Sequence, residues 1–423
     1  MKGFEHPLIK TDVPGELSKE WINKMREVEA PNITYTDADF PVFVHSAFMN
    51  NVWDIDGNRY LDLTSFFGVA SVGHRNPEIR QIITEASIYH GMGDVHPSIP
   101  KVMLLEKLNN LLGGNFMGIF AQSGSEAVET CIKTQILYTK RPEIVVFEGA
   151  YHGLGFGAMN LTQRSYFKEG LEPYTGKWIH TLPFPEKNEE HVLNRLFYLL
   201  KTNKNIGMVF LEPIQGRGGV RMFKRDFLVK LRKITRNYSV LLGFDEIFTG
   251  MYRTGYLSYA KSLGIDFDLI TLGKGLSSQF PLSVCLGKKE IMEKAWPEST
   301  GEAKHTYTFL GHPLFCEVSL KVLDIIENEK LDEKVRTYGK LFLEILKKNL
   351  GNKKSVRDVR GAGFMMGIEF KRPVFPLVKV LLKKGYITLP AGEHGNILEI
   401  IPTFYITEEL FTKFVEVLSG LVD

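Results

Sequence analysis

Short, strongly apolar runs recur along the middle of this chain, and segments with apolar residues at helical spacing separate them. The runs lie at 144–147, 206–211, 240–244, 269–272 and 282–286. Runs of this length are typical of strands buried on both faces, although a buried helical turn leaves a similar pattern. Strands that alternate with helices form a mostly parallel sheet with helices on both sides. The sequence therefore predicts an α/β fold.

The chain of 423 residues is too long for one ordinary core, so we expect more than one domain. Asp56-Gly57-Asn58 between alternating apolar residues predicts a tight hairpin. Beyond residue 313 come a long amphipathic stretch, a strand-like segment near 370 and a helix starting near Thr407. We predict an N-terminal segment at 1–60, a large domain at 61–312 and a C-terminal part at 313–423, with the two chain ends forming a smaller α+β domain.

The composition excludes several classes of protein. The formal net charge is only +3, so nothing calls for a nucleic-acid partner. No apolar stretch approaches the ~20 residues of a membrane span, and the N-terminus lacks the apolar core of a signal peptide. The three cysteines are far apart and form no evident disulfide pattern, so we expect a cytoplasmic protein. The histidines show no metal-ligand spacing, and we expect no metal.

Two of the apolar runs end on residues that can carry chemistry. Lys274 stands between Gly273 and Gly275 after one run, and Asp245 ends another. Open α/β sheets place ligands at the carboxyl ends of their strands. A buried lysine there can form a Schiff base with an aldehyde, and an aspartate is the partner that a protonated pyridine nitrogen needs. Together they indicate pyridoxal phosphate, whereas a lysine between two glycines is, taken alone, more often a turn residue facing water.

Two other segments are compatible with the same cofactor. Gly124 and Ser125 stand at the start of an apparent helix, where free amides and a hydroxyl can hold a phosphate; an ordinary serine cap is the alternative. Tyr151 could lie flat on a planar ring, or simply pack in its loop. His152 could act as a general base or be a hydrogen-bonded structural histidine.

Polar residues outside these segments are harder to interpret. Glu212 ends a strand in an apolar context and must be paired or protonated. Arg217, in the following Gly-rich loop, could bind a substrate anion or face solvent. Thr308 is a further hydroxyl that could reach a phosphate, or a turn residue before the next helix.

The order of these segments resembles that of the class III aminotransferases, pyridoxal-phosphate enzymes of fold type I that include the ornithine, acetylornithine and 4-aminobutyrate aminotransferases. The resemblance extends over about residues 50 to 410. The matching stretches are SGSEAVE (123–129), YHG (151–153), EPIQGRGG (212–219), DEIFTGMYRTG (245–255), LGKGLS (272–277) and TFLGHPL (308–314), with DLTSFFGVASVGHRNPEI (62–79) and VRGAGFMMGIEF (359–370) in further agreement.

The resemblance implies a role for most of the chemical residues. Lys274 corresponds to the lysine that forms the internal aldimine and moves the proton, and Asp245 to the partner of the pyridine nitrogen. Thr308 corresponds to a residue that reaches the phosphate of the neighbouring subunit, which implies a homodimer with shared sites. The remaining implied cofactor contacts are Gly124, Ser125, Tyr151, His152, Glu212 and Ile247.

The substrate pocket departs from the family pattern. Phe67 lies where the family often has an aromatic residue of the pocket. Glu399 occupies the position at which many members have a carboxylate-binding arginine, and Arg217 occupies that of its partner glutamate. We expect an ion pair between Arg217 and Glu399 with the chain origins exchanged, and treat both as candidate substrate contacts. Phe248 replaces a usual glutamine, which leaves the cofactor assignment intact.

The predicted function is transfer of an amino group from an amino acid or amine to a 2-oxo acid or aldehyde, by a ping-pong mechanism through a Lys274 aldimine. An amino-acid racemase, epimerase or aminomutase on the same scaffold is the alternative, because these reactions share the same lysine and cofactor chemistry. A binding protein that merely keeps the fold would require loss of a catalytic group, and Lys274 and Asp245 are both present. The sequence does not name the donor or the acceptor.

Overall fold

The computed structural model describes residues 3–85, 93, 95–186 and 188–423. Its helices are α1 Glu16–Val28, α2 Ser65–Gly68, α3 Pro77–Glu85, α4 Ile99–Leu112, α5 Gly124–Thr139, α6 Phe156–Leu161, α7 Glu189–Thr202, α8 Arg225–Asn237, α9 Tyr259–Ser262, α10 Lys289–Ala295, α11 Pro313–Asn328, α12 Leu331–Leu350, α13 Phe375–Lys383 and α14 Glu408–Leu421. Its strands are β1 Val44–Phe48, β2 Asn51–Asp54, β3 Arg59–Asp62, β4 Phe116–Ala121, β5 Glu143–Phe147, β6 Ile179–Leu182, β7 Ile206–Leu211, β8 Ile214–Gln215, β9 Arg221–Met222, β10 Leu241–Asp245, β11 Leu269–Leu272, β12 Ser283–Lys288, β13 Val356–Ala362, β14 Met365–Phe370, β15 Tyr386–Ile387, β16 Leu389–Ala391 and β17 Ile397–Ile400.

A seven-stranded sheet forms the centre of the molecule, with the order β4-β12-β11-β10-β7-β5-β6. The five strands from β11 to β6 are parallel, whereas β12 is antiparallel to both of its neighbours. Every predicted apolar run is a strand of this sheet, which confirms the mostly parallel α/β fold. The run at 282–286 became the antiparallel strand β12, because an apolar run carries no information about strand direction.

Helices cover both faces of the central sheet. One face forms a buried cluster with leucines of α4, α7 and α8, among them Leu104, Leu196 and Leu231. The other face packs against α5, α6 and α10 through residues such as Val128, Ala158 and Ile291. Because both faces are covered, the strands need apolar residues throughout, which explains their uninterrupted runs.

The two chain ends meet in smaller sheets. Strands β1, β2 and β3 form a sheet with β15, whose register pairs Tyr386 with Leu61. The predicted hairpin at Asp56-Gly57-Asn58 joins β2 to the antiparallel β3. A second sheet, β13-β14-β17-β16, packs with α11, α12 and α14, where the rings of Phe342 and Phe411 stack at 3.9 Å. Strand β3 crosses the domain boundary predicted after residue 60, and α11 begins at Pro313.

This topology brings several chain segments to one edge of the central sheet. Strands β5, β7, β10 and β11 are mutually parallel, so their carboxyl ends share that edge. The loops that follow these strands carry Tyr151, Glu212, Ile247 and Lys274. In the part of the chain that the structure describes, no helix is long and apolar enough to cross a membrane.

Candidate active site

The edge of the sheet at which these loops meet holds a cavity of about 290 Å³. This volume is near the lower end for small-molecule sites, which begin at about 300 Å³. Most of the predicted site residues line it, namely Gly124, Ser125, Tyr151, His152, Glu212, Arg217, Asp245, Ile247 and Lys274. Gly153, Leu154 and Phe248 complete the lining.

Asp245 is a buried carboxylate with three hydrogen-bond partners. Its Oδ2 lies 2.7 Å from Nδ1 of His152. Its Oδ1 accepts a hydrogen bond from the backbone N–H of Ile247 at 3.1 Å and one from the Thr271 hydroxyl at 3.3 Å. His152 is therefore hydrogen-bonded to Asp245, as its structural interpretation expects. The other ring nitrogen, Nε2, is buried without a hydrogen-bond partner.

Lys274 follows β11 and begins a short 3-10 turn. Its φ of 46° lies in the left-handed region, which residues with a side chain rarely occupy outside functional or tightly packed sites. The Nζ atom lies 3.6 Å from the centre of the Phe248 ring. Burial lowers the pKa of Lys274 to about 8, while the charges of Glu399 and Asp245 oppose this shift. The amine is therefore easier to deprotonate than that of an exposed lysine.

Gly124 and Ser125 form the first turn of α5. The hydroxyl of Ser123 caps this helix by accepting the Glu126 N–H at 3.2 Å, so the predicted serine cap is present. The cap leaves the amides of Gly124 and Ser125 without partners inside the helix. A Cβ at Gly124 would come within 2.8 Å of Ile247 Cδ1, so a larger residue here would require the Ile247 side chain to move. Ser125 Oγ accepts the Gly155 N–H at 2.8 Å and keeps its own proton to donate.

Glu212 links two loops of the cavity. Its carboxylate accepts hydrogen bonds from the backbone N–H of Tyr151 at 2.9 Å and of Gly216 at 3.0 Å. Burial raises the pKa of Glu212 to about 7. Glu212 therefore fixes the position of Tyr151 and the entry of the loop that carries Arg217.

The predicted ion pair between Arg217 and Glu399 is wrong. No nitrogen of Arg217 lies within 4.0 Å of a Glu399 oxygen, both residues belonging to the described chain. The Arg217 guanidinium instead stacks on Tyr151, with Cζ 5.1 Å from the ring centre. Glu399 is buried on β17, its Oε1 has no hydrogen-bond partner, and burial raises its pKa to about 8. The contact with the Tyr151 ring holds the Arg217 guanidinium away from Glu399, so Arg217 and Glu399 do not form an ion pair.

Three predicted residues do not line this cavity, namely Glu399, Thr308 and Phe67. Thr308 is exposed in the turn that precedes α11. Phe67 is 47% exposed and belongs to a run of left-handed residues from Ser65 to Gly68. That run is fixed by hydrogen bonds such as the one from Ser65 Oγ to the Ile401 carbonyl at 2.7 Å.

Arg164 and Phe167, in contrast, were not predicted and lie beside the site. The Phe167 ring contacts Tyr151 with centroids 5.8 Å apart, and the Arg217 guanidinium lies 5.8 Å from it. Both residues follow α6 in a loop without a recognisable pattern, so no sequence signal could have identified them.

A family model described as aminotransferase class-III matches residues 34–422. The [LysW]-aminoadipate semialdehyde/glutamate semialdehyde transaminase of Sulfolobus acidocaldarius is 34% identical over 85% of this chain and 89% of its own length. The mitochondrial acetylornithine aminotransferase of Alnus glutinosa is 31% identical over 97% of this chain and 90% of its own. The crystal structure of a Bacillus anthracis aminotransferase superposes with a TM-score of 0.88 at 27% identity, over 98% of this chain and 99% of that one.

The chain belongs to the class III aminotransferases. It is a pyridoxal-phosphate-dependent enzyme that transfers amino groups, as the sequence predicted. The relatives named above are transaminases or aminotransferases, which favours transamination over the racemase or aminomutase alternative. The residues of the cavity fit the cofactor, because they combine a partly buried amine, a buried carboxylate and free amides at a helix start.

Proposed function

We propose that this enzyme binds and uses its cofactor through the cavity described above, with Lys274 and Asp245 as its catalytic residues. One observation carries the proposal: Lys274, Asp245 and the first turn of α5 line a single cavity. When bound, pyridoxal phosphate supplies an aldehyde and an electron-accepting ring that stabilises negative charge on the reacting carbon. The chain must hold the ring, keep its nitrogen protonated and move a proton.

Asp245 would keep the ring nitrogen protonated, since a buried carboxylate next to a cation favours the charged form of both. His152 would hold Asp245 in place through its 2.7 Å contact. Tyr151 and Ile247 would contribute aromatic and aliphatic surface to the ring. The amides of Gly124 and Ser125 with the Ser125 hydroxyl would hold the phosphate, as helix starts commonly do.

Lys274 would carry the cofactor and then move the proton between substrate and cofactor. A general base works best when its pKa lies near the working pH, and the lowered pKa of about 8 meets that condition. Phe248 excludes water from the amine, since its ring is buried and lies against Nζ. Glu212 acts as a positioning residue because it binds backbone N–H groups.

We propose a homodimer in which Thr308 serves the site of the partner subunit. Thr308 is exposed and does not line the cavity of its own chain. A residue that contacts the cofactor of a neighbouring chain must be exposed in this way. Exposed apolar side chains on α4, such as Ile99 at 71% and Val102 at 50%, also favour a protein contact. We further place the protein in the cytoplasm, since Cys131, Cys285 and Cys316 are unpaired and buried.

A half-reaction tests the proposal. The purified, cofactor-loaded protein is mixed with one amino donor and no acceptor, while its visible absorption is recorded. A transaminase should lose the visible band of lysine-bound cofactor and release one equivalent of oxo product per site. A protein that keeps the band and inverts the configuration of the donor would be a racemase and would contradict the proposal.

A further inference from the structure

Two arginines lie close to the same aromatic ring, Phe167, beside the cavity. Arg164 precedes the 3-10 turn Ser165–Phe167, and Arg217 lies in the loop after β8. The Cζ of Arg164 is 5.6 Å from the centre of the Phe167 ring, and that of Arg217 is 5.8 Å from the same ring. Both guanidinium groups therefore lie close to the Phe167 ring, and we call these two residues the Arg164–Arg217 pair.

Neither arginine of this pair forms an ion pair within the described chain, and the charge of Glu393 only partly offsets the lowering of the Arg164 pKa. Neither guanidinium has a carboxylate oxygen within 4.0 Å. The Nε of Arg217 is buried and has no hydrogen-bond partner. Burial lowers the pKa of Arg164, and the like charge of Arg217 lowers it further. Two adjacent cations of this kind repel each other, and an anion between them would remove the repulsion.

Neighbouring arginines are satisfied by protein groups. Arg221 donates to the Gln215 side chain and to the Glu148 carbonyl, and Arg360 donates to Glu369 at 2.7 Å. The absence of a carboxylate partner thus belongs to the Arg164–Arg217 pair and not to arginines of this region in general.

The pair borders the cofactor cavity. Arg217 lines the cofactor cavity together with Lys274, and with Arg164 it also lines a second cavity of about 200 Å³. The two cavities therefore adjoin at Arg217. Glu399, whose charge acts on Lys274, places a buried carboxyl at the position where the family resemblance led us to expect a carboxylate-binding arginine. A substrate anion is disfavoured beside the Glu399 carboxyl and favoured beside the two arginines.

We propose that Arg164 and Arg217 form a binding site for a carboxylate of the substrate in the second cavity that both line, and so make this enzyme selective for donors or acceptors that carry one. The proposal rests on the proposed function, because it assumes that the substrate reacts at Lys274. Guanidinium groups suit this role, since their forked donors match both oxygens of a carboxylate.

Binding of glutarate to the cofactor-loaded enzyme tests the proposal, with calorimetry as the readout. Glutarate carries carboxylates but no amino or oxo group, so it cannot react. It should bind more tightly than the neutral glutaramide. The substitutions Arg164→Gln and Arg217→Gln should each weaken glutarate binding by about tenfold or more, as loss of a charge-assisted hydrogen bond requires. Arg164→Lys should recover part of the affinity lost in Arg164→Gln.

Arg357→Gln is the matched control. It removes the same charge near the second cavity, but Arg357 is exposed and lies 3.7 Å from Glu369. Its glutarate affinity should stay within about twofold of the wild type, since exposed ion pairs contribute little. Equal loss in all three arginine variants, no recovery in Arg164→Lys, or equal binding of glutarate and glutaramide would overturn the anion site.

The two proposals fail in different ways. A protein that transaminates neutral donors but binds glutarate equally well in the wild type and in Arg164→Gln contradicts the anion site alone. A protein that binds glutarate as expected but transfers no amino group contradicts the proposed function alone.

Discussion

At the scale of single residues, the chemistry depends on groups whose sequence context is distinctive. Asp245 ends a buried strand and Lys274 closely follows another, so their place at the carboxyl edge of the sheet could be predicted from the apolar runs alone. The position of Arg164 could not be predicted, because this residue lies in a loop and is brought near Arg217 only by the Phe167 ring that both contact. The expected Arg217–Glu399 pair failed for a related reason, since the Tyr151 ring that holds Arg217 comes from another loop.

Substitution of His152 should weaken cofactor binding without unfolding the protein. His152→Phe keeps an aromatic ring but removes the contact with Asp245, so the cofactor dissociation constant should rise by roughly tenfold. Absorption titration of cofactor-stripped protein measures this constant. His180→Phe is the matched control, because His180 contacts Glu143 at 2.6 Å and does not line the cavity. Equal effects of the two substitutions would contradict a positioning role for His152.

Removal of the Glu399 charge should change the acidity of Lys274. The Glu399 carboxylate raises the pKa of Lys274 against the effect of burial. Glu399→Gln should therefore lower that pKa, and the neutral amine should form at lower pH. The measurement is the pH dependence of Lys274 acylation in cofactor-free protein, followed by peptide mass spectrometry. A profile that stays in place or moves to higher pH would show that Glu399 does not act on the amine.

At the scale of elements, predictions succeeded where burial alone decides the structure. Strands β7 and β11 have the predicted bounds, since both faces of these strands are covered and their runs are apolar throughout. Strands β4 and β6 escaped prediction because they mix exposed or half-buried positions with buried ones. The antiparallel direction of β12 depends on its pairing with the preceding strand β11 and with β4, which is distant in the sequence, so the apolar run itself does not encode it.

Glu246 should stabilise the start of helix α9, which follows the loop after β10. Its buried carboxylate accepts hydrogen bonds from the Ser258 hydroxyl at 2.6 Å and from the Tyr259 and Ala260 N–H groups at 2.7 and 2.9 Å. Glu246→Ala should lower the free energy of unfolding by about 3 kcal/mol, because it leaves several buried donors unsatisfied. Chemical denaturation measures this loss. Glu246→Gln, which keeps one acceptor oxygen, should lose less, and the reverse order would contradict the capping role.

At the scale of the whole molecule, both chain ends contribute to the surroundings of the site. Pairing of β15 with β3 joins residues that are far apart in the sequence, and Glu399 on β17 influences Lys274 in the central part of the chain. The sequence predicted that the ends would combine, but it could not predict their contacts, because these depend on how the small sheets pack.

The proposed dimer leads to a prediction about cofactor retention. Val102 is 50% exposed on α4, and Val102→Glu should weaken a dimer formed through this face, since an interface core tolerates a charge poorly. Light scattering should show more monomer, and the cofactor should dissociate more readily if Thr308 serves the partner's site. Val229→Glu is a matched control on the exposed side of α8, where valine is 42% exposed. A wild type that is monomeric yet retains its cofactor would contradict shared sites.

The central claim is that Lys274 is the residue to which the cofactor is covalently attached. Borohydride reduction of the cofactor-loaded protein, followed by proteolysis and mass spectrometry, locates the attachment directly. We expect the pyridoxyl group on the peptide that contains Lys274 and on no other peptide, and we expect no labelling in Lys274→Ala. Labelling at a different lysine, or undiminished labelling in Lys274→Ala, would contradict the account.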